Sequence, residues 1–297
     1  VVEREPQLLP RILDSGAAET MRQWLRQHAV ELHTGVSVAS VEEDDSRLAV
    51  RLDDGAILEA DLVVLSTGVR PDLGLLDGSG IATDSGVIVD DRMRTNLAHV
   101  YAAGDVAQGP VLHGNGKAVH ALHPTAVDHG RVAGANMAGT EVRYPGSLSM
   151  NVLDVCGLQC ACYGECTDAD AESVVVNNPI RSIYRKLVWQ GDRLIGAILV
   201  GQASDAGMLT DLGMLKGVLQ IRPAMGKWKK YLCENPCDVR RPFIALGVAA
   251  ELANTTLVDR AAMSPGYQDV GGQGAAGSNA NHELLMRSRP GSSGPTD

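Results

Sequence analysis

The stretch Gly86–Gly109, GVIVDDRMRTNLAHVYAAGDVAQG, carries the strongest fold signal in the chain. It predicts a short apolar strand over residues 99–103 that stops at Gly104 and Asp105. Open α/β sheets bind ligands at the carboxyl ends of their strands, and a glycine there lets a ligand approach the backbone. A carboxylate in this position can accept hydrogen bonds from the hydroxyls of a polyol. The alternative that the pattern leaves open is a turn aspartate after a core strand.

The composition limits the class of protein. The 297 residues are 44% hydrophobic but only 3% aromatic, which favours an aliphatic core of the kind found in buried parallel sheets. A formal net charge of −10 argues against a nucleic-acid binder. No apolar run reaches the roughly 18 residues of a membrane span, and no secretory signal is visible, so we expect a cytoplasmic protein without a membrane partner.

Two further segments are informative. The run Asp61–Gly68, DLVVLSTG, is continuously apolar and predicts a strand buried on both faces. The segment 123–139, HPTAVDHGRVAGANMAG, predicts a helix with Pro124 in its first turn. Nearer the start, Ser15 is the predicted N-cap of an amphipathic helix, and Asp53–Gly55 predicts a tight hairpin.

Taken in order, the three segments resemble motifs of the FAD-dependent pyridine nucleotide-disulfide oxidoreductase superfamily, in its rubredoxin, nitrite and ferredoxin reductase branch. The stretch 86–109 resembles the second flavin-binding fingerprint, and 61–71 resembles the link from the nucleotide domain to the flavin domain. The segment 123–139 resembles the helix whose N-terminus faces the flavin pyrimidine ring. Three motifs at the family spacing make a chance match improbable, and the resemblance covers roughly residues 1–220.

The resemblance implies the residues that bind FAD. Asp105, preceded by Gly104, is expected to bind the ribityl chain. The backbone amides of Thr125 and Ala126 are expected near the flavin, where the positive end of the helix dipole favours negative charge on the reduced ring. Gly68 belongs to the linking motif.

The resemblance also implies a site for NAD(P)H. Glu3 is expected to end a strand and to bind the adenine ribose hydroxyls, which would favour NADH. The adjacent Arg4 leaves the choice between NADH and NADPH open. No side chain is nominated as an acid, base or nucleophile, so no catalytic residue is predicted.

The expected fold is α/β, with partial FAD/NAD(P)-binding Rossmann-like domains followed by a C-terminal α+β domain. Because both Gly-rich phosphate loops of the family belong upstream of Val1, we expect an N-terminally truncated chain. The predicted divisions are half of an NAD(P)-binding domain, part of an FAD-binding domain, a C-terminal dimerisation-type domain, a basic Cys-containing helical extension and a disordered tail. They cover residues 1–70, 71–147, 148–221, 222–262 and 263–297, respectively.

The activity implied by the resemblance is electron transfer from NAD(P)H through FAD to an acceptor such as rubredoxin, ferredoxin or a nitrite reductase centre, present here as a fragment. A second hypothesis is a non-catalytic, partner-binding subunit or gene fragment without flavin. A third is an iron–sulfur electron carrier. The acceptor and the oligomeric state, including a homodimer, stay open.

Six cysteines without a secretory signal indicate thiols or metal ligands rather than a disulfide framework. Four of them occupy even positions, hence one face of a continuous strand, which over ten residues would span about 33 Å, too far for one cluster. Only a sharp turn at Gly157 or Gly164 could gather them, so buried thiols are favoured. The weak metal candidates are Cys156, Cys160, Cys162, Cys166, Cys233 and Cys237.

A group of histidines and a basic segment are also informative. Histidines flank the predicted flavin helix, where loop positions are commoner than metal ligation; they are His113, His120, His123 and His129. The segment Arg222–Arg241 reverses the negative charge of the chain. Its simplest interpretation is a solvated face, and the alternative is a docking site for a small acidic electron carrier, with Trp228 and Tyr231 as apolar anchors.

Overall fold

The computed structural model of the protein describes residues 1–44, 47–166 and 171–254. The predicted tail, 263–297, lies outside this part of the chain. The first group of elements is β1 (Val2–Glu3), α1 (Ser15–Gln27), β2 (His33–Thr34), β3 (Val38–Asp44), β4 (Arg47–Leu52) and β5 (Ile57–Ala60). β1 and β2 pair in parallel, with α1 between them in sequence, while β3, β4 and β5 form an antiparallel sheet.

Local sequence signals in this first group are largely confirmed. The helix predicted after Ser15 forms, and the turn at Asp53–Gly55 joins β4 to β5. The predicted N-cap was wrong by one residue, because the carboxylate of Asp14, not the hydroxyl of Ser15, accepts the Ala17 N–H at 3.1 Å. The Asp14 carboxylate also contacts Tyr184 and Lys186 of another element.

The prediction of a buried strand over Asp61–Gly68 was wrong. Residues 61–70 contain no strand, and the side chains of Leu62, Val64 and Leu65 are about three-quarters exposed (76%, 75% and 76%). A strand is buried on both faces only when neighbouring strands carry it into a sheet. Among the described residues, β1 and β2 pair only with each other, so no strand borders this segment.

The second group of elements surrounds the stretch that opened the sequence. It contains β6 (Val87–Ile88), β7 (Ala107–Pro110), β8 (Lys117–Val119) and α2 (His123–Met137). β6 pairs in parallel with β7, and β7 pairs antiparallel with β8. The helix is confirmed, with Pro124 in its first turn.

The strand predicted over 99–103 does not form. The backbone N–H groups of Thr95 and Ala102 donate to Val100 O and Met93 O, which closes this segment on itself. A short 3₁₀ turn then covers Gly104–Val106, and the strand begins only at Ala107. The observed strand therefore begins eight residues after the start of the predicted one, at Ala107 instead of His99.

The third group forms a five-stranded antiparallel sheet and the helices that follow it. Its elements are β9 (Met150–Val155), β10 (Leu158–Gly164), β11 (Glu172–Asn178), β12 (Ile183–Gln190), β13 (Arg193–Gln202), α3 (Ala206–Ile221), α4 (Lys227–Glu234), α5 (Arg240–Ala245) and α6 (Val248–Asn254). The strand order is β11-β12-β13-β10-β9. Within the described helices, none is long and apolar enough to cross a membrane.

Both faces of this sheet are buried, by different parts of the chain. Because side chains alternate along a strand, Leu199 of β13 faces α3 while Ile198 and Val200 face the opposite side. On that opposite side the cover is α1, whose Ala17 and Met21 belong to the same apolar cluster. A helix from the start of the chain thus completes the core of the C-terminal sheet.

Polar contacts fix α1 on the sheet. The Asp14 carboxylate accepts a hydrogen bond from the Tyr184 hydroxyl at 2.7 Å and lies 3.2 Å from the Lys186 ammonium. The indole N–H of Trp24 donates to the carbonyl of Cys156 at 3.1 Å. The predicted domain boundaries stay predictions, but α1 packs with the third group of elements rather than only with the first.

Candidate functional site

The Gly104–Asp105 turn lies against the first turn of α2. Gly104 is buried and has a φ of +77°, in the left-handed region that favours glycine. A Cβ placed on Gly104 would lie 3.4 Å from the Cβ of Ala126, at van der Waals distance. The turn therefore lies against the helix N-terminus, and it is the positive φ of Gly104 that favours glycine there.

Four of the predicted flavin-binding residues meet here, and Gly104 of the turn is one of them. Asp105 is exposed, and within the described residues its carboxylate has no hydrogen-bond partner. Thr125 is buried in the first turn of α2, where helix N–H groups lack intrahelical partners. The amide of Ala126, by contrast, already donates to Leu122 O at 2.9 Å. The Asp105 carboxylate can accept hydrogen bonds from the hydroxyls of a polyol. The Thr125 N–H in the first turn of α2 can face an electron-rich ring attached to that polyol.

The other two predicted residues lie elsewhere. Glu3 ends β1, and its Oε1 accepts the backbone N–H of Glu5 at 2.9 Å. Gly68 has a φ of +104° and belongs to the exposed segment 61–70. Neither makes a hydrogen bond to the Gly104–Asp105 turn or to α2 within the described chain.

Sequence reasoning missed how polar the buried face of α2 is. The His129 ring is buried, with Nε2 3.4 Å from Ser147 Oγ, and it meets the Tyr144 ring edge-on at a centroid distance of 4.8 Å. The Tyr144 hydroxyl lies 3.1 Å from the same Ser147 oxygen. Burial lowers the pKa of His129 to about 4, so this imidazole is neutral at physiological pH. Nothing in the sequence around His129 indicated that its side chain would be buried.

His113 is a buried histidine whose charged neighbour is Arg222, the C-cap residue of α3. It is only 8% exposed, and neither ring nitrogen has a hydrogen-bond partner in the described chain. Burial, with a smaller contribution from the Arg222 guanidinium, lowers its pKa to about 4. Burial also raises the pKa of Asp128 on α2, although Arg131 lies 4.0 Å away.

The cysteines are divided between surface and core. Cys160, Cys162 and Cys166 are buried, as predicted, whereas Cys156 is exposed at the β9–β10 turn. Two of the cysteines are brought together on either side of Gly164, where the Sγ atoms of Cys162 and Cys166 lie 2.9 Å apart. Cys233 and Cys237 lie away from them, half-buried and exposed. Among the described side chains, no group of three or more His, Cys, Asp or Glu is arranged to hold a metal ion.

The basic segment folds into α4, α5 and their connection. Several of its cations are already paired: Lys229 with Glu172 at 2.6 Å, Arg241 with Asp238 at 3.1 Å and Lys230 with Glu234 at 3.9 Å. Lys227 and Arg240 are exposed, and no carboxylate of the described chain forms an ion pair with either. The rings of Trp228 and Tyr231 meet edge-on at 5.4 Å.

Two family models match the chain over most of this structure. Residues 1–130 match the pyridine nucleotide-disulphide oxidoreductase model. Residues 150–212 match the rubredoxin NAD+ reductase C-terminal domain. The chain is thus similar to this family in its first 130 residues and to the rubredoxin reductase C-terminal domain after residue 150, and the resemblance found in the sequence is confirmed.

Individual relatives agree with this family. The chain is 32% identical over 216 residues to the NADH-dependent phenylglyoxylate dehydrogenase subunit epsilon of Aromatoleum evansii, covering 71% of this chain and 51% of that protein. It is 30% identical over 209 residues to the rubredoxin-NAD(+) reductase of Alcanivorax borkumensis, covering 68% and 52%. The chain thus spans about half the length of these two curated relatives.

A solved structure confirms the α/β class with Rossmann-like and C-terminal parts. An FAD-dependent pyridine nucleotide-disulphide oxidoreductase from Desulfovibrio vulgaris superposes with a TM-score of 0.68 at 25% identity. The match covers 85% of this chain and 64% of that one.

Proposed function

We propose that this chain contributes the ribityl-binding turn and the flavin-facing helix of an oxidoreductase that passes electrons from NAD(P)H through FAD to an acceptor. One observation carries the proposal: the exposed carboxylate of Asp105 follows a glycine turn packed on the first turn of α2. The names of the relatives, which include NADH-dependent and FAD-dependent enzymes, support the same cofactors.

The residues present fit an FAD molecule at this turn. Bound FAD would supply the chemistry of accepting a hydride from nicotinamide and releasing electrons to the acceptor. Asp105 would accept a hydrogen bond from a ribityl hydroxyl. The first turn of α2, including the Thr125 amide, would direct partial positive charge at the ring. Ala126 would contribute close packing rather than its amide, which Leu122 already occupies.

The nicotinamide part of the proposal rests on fewer contacts. Glu3 at the end of β1 is proposed to bind the adenine ribose through Oε2, since Oε1 already holds the backbone of Glu5. Gly68 is proposed to let the connecting segment pass close to the cofactors, as its positive φ permits. The choice between NADH and NADPH stays open, because the positively charged Arg4 follows the negatively charged Glu3.

The decisive experiment is an FAD titration of the purified chain. Flavin fluorescence reports binding, and visible absorbance that survives desalting reports a formed site. We expect Asp105→Asn to weaken FAD binding about tenfold, because a hydrogen bond to a charged acceptor contributes roughly 1.5 kcal/mol.

The matched control is Asp77→Asn, which removes another exposed carboxylate without a described side-chain partner. It should leave the FAD affinity unchanged. Equal weakening by both variants would contradict the role of Asp105, whereas a wild-type chain that stays colourless after desalting would argue for the non-catalytic hypothesis.

The acceptor is proposed to be a small acidic electron carrier that docks on the basic surface, defined here as Lys227, Lys230, Arg240 and Arg241. The side chains of Lys227 and Arg240 are exposed on this surface. The Trp228 ring is partly buried against the apolar cluster of the C-terminal sheet. The double variant Lys227→Glu/Arg240→Glu should slow association with rubredoxin or ferredoxin roughly tenfold at low salt, and the difference should shrink as salt is added. Arg181→Glu, at an exposed position of another loop, is the control.

A partner-binding role without flavin is favoured by one separate observation. Leu62, Val64, Leu65 and Val69 form a run of exposed apolar side chains in the segment 61–70. Exposed apolar patches mark interaction surfaces in many proteins. The FAD titration separates this role from the first, because only the oxidoreductase requires bound flavin.

A further inference from the structure

Two buried cysteines meet where β10 ends. The Sγ of Cys162 donates to the Sγ of Cys166 at 2.9 Å, and the two residues are only 7% and 3% exposed. The Cys166 sulfur also lies 3.1 Å from Tyr163 O and 3.3 Å from Ala197 O. The two sulfur atoms therefore face each other in a fixed arrangement, apart from the Gly104–Asp105 turn and from the basic surface.

A backbone bend at Gly164, the last residue of β10, brings the two sulfur atoms together. Gly164 has a φ of +68°, and a Cβ there would lie 2.1 Å from the carbonyl oxygen of Ile195. The amides on either side of this position are anchored, Gly164 N–H to Ser149 O at 2.7 Å and Glu165 N–H to Ile195 O at 2.9 Å. The backbone bends at Gly164 while it stays paired with β13, and the side chains of Cys162 and Cys166 meet on either side of this bend.

The surroundings make the two sulfurs unequal. The hydrogen bond from Cys162 lowers the pKa of Cys166 and raises that of Cys162, and burial raises the pKa of Cys162 further. The Lys186 ammonium, which donates to the Cys166 carbonyl at 3.1 Å, adds positive charge on the same side. Cys160, by contrast, has no such partner, and burial raises its pKa to about 12. Cys166 is thus the sulfur that ionises first, and a thiolate is the reactive form of cysteine.

We propose that Cys162 and Cys166 form a redox-active dithiol that closes to a disulfide when a small peroxide, ROOH, oxidises it. The Cys166 thiolate attacks one peroxide oxygen, the O–O bond breaks, and the products are a sulfenic acid and ROH. Cys162 then attacks the sulfenic sulfur, loses its proton and expels water. Two thiols and one peroxide give one disulfide, ROH and water, a two-electron oxidation of the protein.

The geometry needs little change for this closure. A disulfide S–S bond is about 2.0 Å long, so the sulfurs must approach by only about 0.9 Å from their present 2.9 Å. Hydrogen peroxide is small enough to suit a site with so little exposed surface. The dithiol lies in the apolar cluster that α1 shares with the sheet, and the proposal does not depend on whether the chain binds FAD.

To test the proposal, the reduced, folded full chain is treated with hydrogen peroxide, and catalase stops the reaction. The protein is then denatured and its remaining thiols are alkylated. We expect a species that takes up two alkyl groups fewer and is lighter by two hydrogens before alkylation. Chymotryptic cleavage after Tyr163 separates the two cysteines, so the resulting peptides stay joined only by the disulfide. Reduction with dithiothreitol should release them.

Variants assign the bond. Cys162→Ser and Cys166→Ser should each abolish the joined peptides, while Cys160→Ser, its neighbour on β10, should retain them. Circular dichroism and the melting temperature verify that each variant is folded, with Cys162→Ala and Cys166→Ala as replacements if a serine variant is not. The proposal fails if both thiols are still alkylated while exposed Cys156 or Cys237 is oxidised, or if Cys160→Ser removes the link.

Discussion

His113 shows what a single buried side chain does to the pH dependence of stability. Its pKa in the fold is about 4, below the about 6.5 of an exposed histidine. Between these values the unfolded chain binds the proton and the folded chain does not. The stability from the neutral ring is therefore complete above about pH 6.5 and is lost as the pH falls towards 4.

We expect His113→Leu to flatten this dependence. Between about pH 6.5 and 4 the wild-type free energy of unfolding should fall by about 2–3 kcal/mol more than that of the variant. At pH 7 the variant should be at least as stable, since no partner is lost when the unpaired ring nitrogens are removed. Urea unfolding at both pH values measures the effect. His28→Gln, at an exposed position, is the control, and parallel curves for wild type and His113→Leu would contradict the prediction.

At the scale of elements, Asp14 connects a helix cap to a sheet. Its carboxylate caps α1 and also binds Tyr184 and Lys186. We expect Asp14→Ala to lower the free energy of unfolding by about 2–3 kcal/mol, since a cap alone is worth about 1 kcal/mol and a buried hydroxyl loses its acceptor as well.

Asp205→Ala is the matched control for the cap. Asp205 caps α3 by accepting the Gly207 N–H at 2.9 Å, without a described partner on another element. Its loss should cost only about 1 kcal/mol in the same urea experiment. Equal losses in the two variants would mean that the contacts of Asp14 with the sheet add nothing.

Helices and hairpins could be predicted from local sequence, whereas a buried strand could not. The hairpin at Asp53–Gly55 and both helices, α1 and α2, follow from turn chemistry and periodicity within the segment itself. The run Asp61–Gly68 carries the right composition for a buried strand, but burial depends on partner strands that its own residues do not specify. The same holds for individual side chains: the motif predicted Asp105, whereas the contact between Cys162 and Cys166 depends on a backbone bend at Gly164 that spacing alone left undecided.

At the scale of the whole molecule, the segment 61–70 carries a run of four exposed apolar side chains, Leu62, Val64, Leu65 and Val69. Because contiguous apolar side chains favour association, we expect the chain to self-associate with rising concentration. The double variant Val64→Lys/Leu65→Lys should shift the population towards monomer in sedimentation velocity. Ile180→Lys, which changes a single exposed apolar side chain at 95% exposure, should not. Unchanged sedimentation of the double variant would place any self-association elsewhere.

The packing of α1 on the C-terminal sheet also sets an order of events during synthesis. The hydrogen bond between Asp14 and Tyr184 joins residues 170 positions apart. At a translation rate of about 5–20 residues per second, the apolar side of α1 waits on the order of 10 s or more before its partner strands leave the ribosome. The apolar side of α1 is thus buried only long after the helix has been made, and the nascent chain is vulnerable to aggregation during that interval.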